Sequence, residues 1–221
     1  MKFRRKKSEG SEAEPLDGLP DGPAAEEQAD PAQPGDALRS EGPWDVSEVD
    51  LPEEDPTRVD LGSLVVPRRE GLELQLQVDQ QSQQVVAVVL ADPEGAVELR
   101  AFAAPRNGDI WEDVRQQIAA EVSRRGGTAS EAEGPWGTEL RVVLKVTTPE
   151  GQTGTQPSRV FGIPGPRWML RATFFGRPAL EPSETGTIER ALRDVVVRRG
   201  TQPFAPGEAL PLTVPSELLQ D

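Results

Sequence analysis

The stretch that decides the fold is residues 159–175, with the sequence RVFGIPGPRWMLRATFF. A Pro-Gly-Pro turn at 164–166 separates two apolar runs, so the stretch predicts a hairpin of two strands, 159–163 and 168–175. Successive residues of a strand point to opposite faces of a sheet. One face of the second strand should therefore carry Trp168, Leu170, Ala172 and Phe174. The other face should carry Arg167, Met169, Arg171 and Thr173.

Four earlier segments also have strand patterns. Residues 72–78 and 97–103 alternate apolar with polar or small side chains, and residues 85–90 form a continuous apolar run. Because short turn-forming sequences connect these three segments, they predict an antiparallel meander. Residues 140–146 alternate in the same way and predict a fourth strand, with Lys145 on its solvent face.

Two amphipathic helices accompany the strands. The first is predicted to start at Asp109 as N-cap, with Glu112 three residues later as in a capping box, and to end at Gly126. Its apolar stripe consists of Ile110, Trp111, Val114, Ile118 and Val122. The second is predicted to run from Ser183 to Gly200, with an inward stripe of Ile188, Leu192, Val195 and Val196. Together the elements predict an α+β fold in which two amphipathic helices pack on an antiparallel sheet.

The two helical regions resemble each other. Leu99-Arg100-Ala101 precedes the first helix and Leu170-Arg171-Ala172 precedes the second, and aligning Gly126 with Gly200 brings the apolar stripes into register. This similarity suggests two meander-plus-helix halves. The alternative is that any two amphipathic helices with basic last turns and a following glycine look alike, because both features stabilise helix ends.

The composition excludes several classes of enzyme. The chain contains no cysteine, histidine or tyrosine, and beyond residue 7 its only lysine is Lys145. Thiolate metal sites, disulfides and Ser-His-Asp or Cys-His catalysis are therefore excluded. The acidic run at 45–55 lacks the ligand spacing and turn glycine of a calcium loop. We predict a protein that is not an enzyme and uses no metal or cofactor. A carboxylate-only, metal-dependent hydrolase remains the enzymatic alternative.

The distribution of charged residues along the sequence distinguishes several regions of the chain. The net charge is −14, of which residues 1–60 contribute −10 and residues 61–221 contribute −4. Residues 1–41 are rich in proline, glycine and acidic residues, and are predicted to be a disordered acidic tail. Residues 42–205 are predicted to form a single α+β domain, and residues 206–221 an extended C-terminal tail. Because no apolar run reaches a membrane span or a signal-peptide core, we expect a cytoplasmic protein.

The acidic tail begins with a basic tip, which consists of Lys2, Arg4, Arg5, Lys6 and Lys7. One interpretation is a solubilising terminus. The other is weak, salt-sensitive contact with nucleic acid or an anionic membrane surface, where each basic residue contributes about 1 kcal/mol.

Four motifs resemble a known family. They are Gly42-Pro43-Trp44-Asp45, the run from Arg58 to Leu64, Gly71-Leu72-Glu73-Leu74-Gln75, and Gly165-Pro166-Arg167-Trp168-Met169-Leu170-Arg171. With these motifs the chain resembles the actinobacterial family catalogued as domain of unknown function 3710. The resemblance implies an actinobacterial cytoplasmic protein without an established activity. It also implies that residues 42–67 belong to the folded domain.

The first candidate site consists of arginines in and next to the last two predicted strands. They are Arg159, Arg167, Arg171 and Arg177, with Arg141 and Lys145 on a neighbouring strand. Guanidinium groups on one sheet face can hold a phosphate or carboxylate through forked hydrogen bonds. The alternative is an ordinary solvated sheet face.

Two tryptophans form the second candidate site. Trp44 and Trp136 each follow Gly-Pro, and tryptophan is enriched at binding hot spots, so both are candidates for contact with a partner. The alternative is that both cover the core. The leading interpretation of function is a protein-interaction or regulatory module with another protein as its partner. The second is small-anion or nucleotide binding on the arginine face.

Overall fold

The computed structural model describes residues 41–215, except residues 53–54 and 148–152. The predicted acidic tail before Glu41, its basic tip and the last part of the predicted C-terminal tail lie outside the described residues. In chain order the strands are β1 (Trp44–Asp45), β2 (Arg58–Asp60), β3 (Leu64–Pro67), β4 (Glu73–Val78), β5 (Val85–Asp92), β6 (Gly95–Ala103), β7 (Thr128–Gly134), β8 (Gly137–Thr147), β9 (Thr153–Gly165), β10 (Trp168–Gly176) and β11 (Val196–Val197). The α-helices are α1 (Trp111–Arg124), α2 (Arg177–Leu180) and α3 (Thr187–Arg193).

The strands form two sheets. The larger has seven antiparallel strands in the order β4-β5-β6-β10-β9-β8-β7. The smaller has the order β1-β11-β3-β2, with β1 and β11 parallel and the other pairs antiparallel. The predicted α+β class with a mainly antiparallel sheet is confirmed.

The predicted hairpin at 159–175 is present as β9 and β10. Trp168 lies opposite Gly165, and Arg171 lies opposite Gly162. Arg167 occupies the turn with a positive φ of 61°. A side chain at Gly165 would overlap the Trp168 indole, so the turn glycine leaves the room that this ring needs.

The seven-stranded sheet has a buried core on each face. On one face the smaller sheet and α3 cover the alternating apolar residues of β10, which are Trp168, Leu170, Ala172 and Phe174. On the other face α1 packs on β7, β8 and β9, and its Trp111 and Val122 join Leu140, Val142, Val160 and Met169 in a second cluster. Both clusters contain the apolar faces that the sequence predicts.

The first predicted helix is confirmed, with a later start. α1 begins at Trp111, and the Asp109 carboxylate accepts a hydrogen bond from the Trp111 backbone N–H at 2.9 Å. Asp109 therefore caps the first turn from two residues before it. The backbone N–H groups of Gly126 and Gly127 bond to carbonyls of the last turn, and Gly126 has a φ of 73°, as a helix-ending glycine should.

The second predicted helix is wrong at both ends. α3 spans only seven residues and is preceded by Gly186, while the Ser183 backbone N–H donates to the Glu189 carboxylate. The helix ends at Arg193, and Val196–Val197 forms β11 between β1 and β3. β-branched valines with buried side chains favour a strand, and here tertiary pairing supplies the backbone partners.

Two further features were not predicted. β7 was missed because Thr128–Gly134 alternates small with charged residues and lacks large apolar side chains. The described part of the predicted C-terminal tail is extended and pairs with β6, since Gly207 and Leu210 donate backbone hydrogen bonds to the carbonyls of Ala103 and Ala101.

The two meander-plus-helix halves suggested by the sequence differ in their numbers of strands and helices. Three strands of the large sheet, β4 to β6, precede the 14-residue α1, whereas four, β7 to β10, precede α2 and the 7-residue α3. α1 packs on strands of the second meander, and α3 packs on β5 and β6 of the first.

Candidate functional site

A groove lies between α1 and the seven-stranded sheet, with a volume of about 660 Å³. One wall is the flank of α1 together with its flanking residues Ile110 and Arg125, and the floor comes from β8, β9 and β10. Phe102 on β6 and Pro206–Gly207 complete the lining. A volume between about 300 and 1,000 Å³ is the size range of small-ligand sites.

The groove exists because α1 covers only part of its sheet face. The helix packs mainly on β7, β8 and β9, and Met169 is the residue of β10 that is fully buried in the cluster with it. As a result, Val114 and Ile118 of its apolar stripe are only half-buried, and so are Thr173 and Phe175 on the floor. The folded chain therefore leaves apolar surface open along the groove.

Arg171 lines this groove, and Arg100 lies beside it on the neighbouring strand, outside the groove lining. Arg171 on β10 is directly opposite Arg100 on β6. Their guanidinium carbons lie 5.6 Å and 5.8 Å from the centroid of the Phe102 ring, so both cations contact the same aromatic side chain.

This arginine pair has few hydrogen-bond acceptors. The Nε atoms of Arg100 and Arg171 are buried and have no hydrogen-bond partner among the described residues. Glu98 supplies one carboxylate, 3.4 Å from a terminal nitrogen of Arg171. Burial lowers the pKa of Arg171, and the neighbouring Arg100 cation lowers it further, while Glu98 opposes both effects. Arginine nevertheless stays protonated in proteins, so the pair remains two cations beside one anion.

The four predicted arginines lie in different places. Arg171 is in the groove, whereas Arg159 is buried on the opposite sheet face. Arg167 is exposed in the β9–β10 turn. Arg177 is exposed on α2, where it forms ion pairs with Glu94 and Glu181. Anion binding at Arg171 stays a prediction. The other three arginines lie elsewhere and do not contribute to that site.

Arg159 belongs to a buried ion network. Its guanidinium donates three hydrogen bonds of 2.5–3.1 Å to Glu139 and a fourth, of 3.2 Å, to the Pro178 carbonyl. Arg141, also a candidate, donates to the same carboxylate at 2.8 Å. Lys145 lies exposed on β8, as predicted. Because its donors are occupied, Arg159 has a structural role.

The two tryptophan candidates differ in their surroundings. Trp136 is buried, packs against Phe161 and Phe174, and donates its indole N–H to the Gly42 carbonyl at 3.1 Å. Trp136 thus covers the core, which was the alternative interpretation. Trp44 is half-buried in β1, beside Val196 of β11.

Sequence reasoning missed Arg100. Its side chain shares a sheet face with Phe102 and Glu98, as alternation along β6 requires. The missing information was the register of β6 against β10, because these strands are separated by more than 60 residues and pair only in the folded chain.

Metal and membrane features are reported for the described residues only. In that part of the chain, no group of three or more acidic side chains is placed to hold a metal ion. Likewise, none of its helices has the length and apolar character needed to cross a membrane.

The fold and the groove define an α+β domain with a candidate ligand site between one helix and an antiparallel sheet. The family model of DUF3710, described as a protein of unknown function, matches residues 42–221. The chain belongs to this family. A search of curated proteins found no match.

A search of solved structures found a similarity to cyanobacterial PsbP (CyanoP) from Synechocystis sp. PCC 6803. The sequence identity is 9%, and the match covers 67% of this chain and 98% of that protein, with a TM-score of 0.36.

Proposed function

We propose that this chain is a non-enzymatic binding module of the cytoplasm, and that its groove holds a ligand by a negatively charged group placed on Arg100 and Arg171. The observation that carries this proposal is the arginine pair itself, in which two partly buried cations lie side by side and the Glu98 carboxylate pairs with Arg171.

A bound anion would supply what this pair lacks. Like charges close together repel, and buried donors without acceptors cost roughly 1–3 kcal/mol each. A carboxylate or phosphate accepts forked hydrogen bonds from guanidinium groups, and such charge-assisted bonds are stronger than neutral ones. The Phe102 ring holds both cations beside the groove, so the site needs little reorganisation to receive an anion.

Binding fits the composition better than catalysis. The whole sequence lacks histidine, cysteine and tyrosine, and the ionisable residues that line the groove are Asp113, Glu121, Arg125 and Arg171. Catalytic carboxylates are usually buried or close to other charges. Asp113 and Glu121 are exposed to solvent on the helix.

Interaction with another protein is the second candidate, and the sequence before Glu41 supports it. Residues 1–41 combine a basic start with an acidic remainder, since residues 8–41 hold ten Asp/Glu against one arginine, a pattern common in interaction tails. Co-purification from an actinobacterial lysate, with and without residues 1–41, tests it. If a protein captured by the full chain is lost when residues 1–41 are removed, the result supports this candidate. If both chains capture that protein equally, the tail does not take part in the interaction.

The anion proposal is tested by thermal unfolding in inorganic phosphate. At a concentration ten times Kd, a ligand that binds only the folded state stabilises it by about 1.4 kcal/mol. For a domain of this size, this corresponds to a rise in Tm of roughly 3–6 °C. We expect Arg171→Met to abolish the rise.

The matched control is Arg177→Met, because Arg177 lies on α2 and outside the groove lining. It should respond to phosphate like the unsubstituted chain. An equal rise in Tm for Arg171→Met would show that phosphate binds elsewhere and would overturn the proposal.

A further inference from the structure

We infer that the ligand is an amphiphile with one anionic group, whose elongated apolar body lies along α1 while its head group contacts Arg171 and Arg100. This inference deepens the proposed function and rests on it. It concerns the part of the groove that the arginine pair does not occupy.

The groove runs away from the arginines along the strands. At one end of α1, the Trp111 ring packs on Gly162, which is the residue opposite Arg171. Just beyond the other end, Gly127 sits against Leu144 on β8. The helix therefore follows the strands that form the floor. Arg171 and Phe175, four residues apart on β10, both line the groove. At about 3.3 Å per residue, the floor extends roughly 13 Å beyond the arginine.

The walls along this path are mainly apolar. Ten of the eighteen lining residues are apolar, including Val114 and Ile118 on the helix and Val160 and Phe175 on the floor. The floor adds only the small hydroxyl side chains of Ser158 and Thr173. Such a surface gains from contact with aliphatic carbon, because burying apolar area is favourable and non-directional.

The charged residues at the groove favour a ligand with one anionic group. The positive charge on the floor is Arg171, with Arg100 opposite it on β6, whereas the helix wall presents Asp113 and Glu121 to the groove. Arg125 offsets only one of these acids. A ligand with several phosphates along its length would place negative charge beside both carboxylates, so the charge pattern favours a single charged head with a neutral body.

The groove volume agrees with this ligand class. About 660 Å³ suits a small molecule and not a folded partner, whose interfaces are large and flatter. The aliphatic lining also offers few hydrogen-bond partners for the edge of a nucleobase. Polar base edges left unpaired in this lining would oppose nucleotide binding.

The inference is tested by isothermal titration with butanoate, hexanoate and octanoate, with inorganic phosphate and AMP as comparison probes. All three alkanoates have the same head group, so any change in affinity reports the apolar body. Burial of each methylene contributes about fourfold in affinity. We expect octanoate to bind at least tenfold more tightly than butanoate, and Arg171→Met to weaken both.

A variant that fills the groove distinguishes binding of the ligand's apolar body from binding of its anionic head group. Thr173→Trp places an indole on the floor between Arg171 and Phe175 without removing an arginine. It should retain phosphate binding and lose the chain-length dependence. Lys145→Trp, which adds the same indole at an exposed position of β8 outside the groove lining, should retain both. If Thr173→Trp does not fold, the alkanoate series on the unsubstituted chain and on Arg171→Met still decides the question.

The results of these titrations separate the inference from the proposed function. Equal affinity for phosphate and all three alkanoates would overturn the inference and leave the proposed function standing. Tighter binding of AMP than of octanoate would also overturn the inference. An affinity for octanoate that is unchanged in Arg171→Met would show unspecific partitioning and overturn it. Absence of binding by every probe would remove the proposed function and the inference together.

Discussion

Replacing Glu139 by glutamine should destabilise the domain more than any surface charge substitution. Glu139 has no exposed area, and its carboxylate accepts hydrogen bonds from Arg159, which is 5% exposed, and from Arg141. Glutamine keeps the shape of the side chain but removes the charge. It also places an amide nitrogen toward a guanidinium group, so a donor faces a donor and Arg159 remains as a buried, uncompensated cation.

The magnitude follows from this burial. Removing one member of a buried ion pair costs about 3–5 kcal/mol, because the other charge stays desolvated. With a urea m-value of about 2 kcal/mol/M, a loss of 4 kcal/mol lowers the denaturation midpoint by about 2 M. Equilibrium urea unfolding followed by tryptophan fluorescence measures this shift, since Trp136 lies in the same core beside Phe161.

Two variants make the test specific. Glu121→Gln removes an exposed carboxylate that pairs with Arg124 on α1, and should cost less than about 1 kcal/mol. The double substitution Glu139→Leu with Arg159→Met removes the buried charges together, and should recover most of the lost stability. A shift for Glu139→Gln no larger than that for Glu121→Gln would show that the network is solvated in solution and would refute this reasoning.

Two further predictions concern packing and titration. Gly162→Ala should cost about 1–3 kcal/mol in urea unfolding, because the new Cβ would overlap the Trp111 ring, whereas Gly154→Ala, which faces open space on the same strand, should cost less than 1 kcal/mol. Hydrogen bonds from the Ser82 backbone N–H and then its hydroxyl lower the pKa of Asp79, so Ser82→Ala should raise that pKa part of the way toward its ordinary value in an NMR titration. Because the pKa is lowered on folding, the stability contributed by Asp79 is present above the pKa of the unfolded chain and is lost as pH falls through the folded value.

Much of the large sheet could be predicted from the sequence, because alternation states which face of a strand is buried. The apolar faces of β6 and β10 are where the pattern places them. β11 could not be predicted, because Val196–Val197 continues a helical pattern and becomes a strand only through pairing with β1 and β3. Tertiary pairing overrides local pattern most easily in such short segments.

The candidate site could be predicted only in part for a related reason. Alternation correctly separates Arg171 from the apolar face of β10, but the partner of Arg171 depends on which strand lies next to it. The chain brings β6 beside β10 and leaves β7, β8 and β9 beyond β10. Sequence distance therefore hides Arg100 and makes Arg167, Arg159 and Arg177 look closer to Arg171 than they are.

The contrast between two arginines of the same sheet supports a binding role for one of them. Arg159 is almost fully buried, and it has four hydrogen bonds and a cation–π contact with Phe161. Arg171 is also largely buried, yet its closest carboxylate is 3.4 Å away and its Nε has no partner among the described residues. Folding alone accounts for Arg159, because each of its three guanidinium nitrogens donates a hydrogen bond to a neighbour. It does not account for Arg171, since an apolar residue there would avoid both the desolvation of a cation and its repulsion by Arg100. This under-satisfied cation beside an open groove is the reason we propose that an anion binds there.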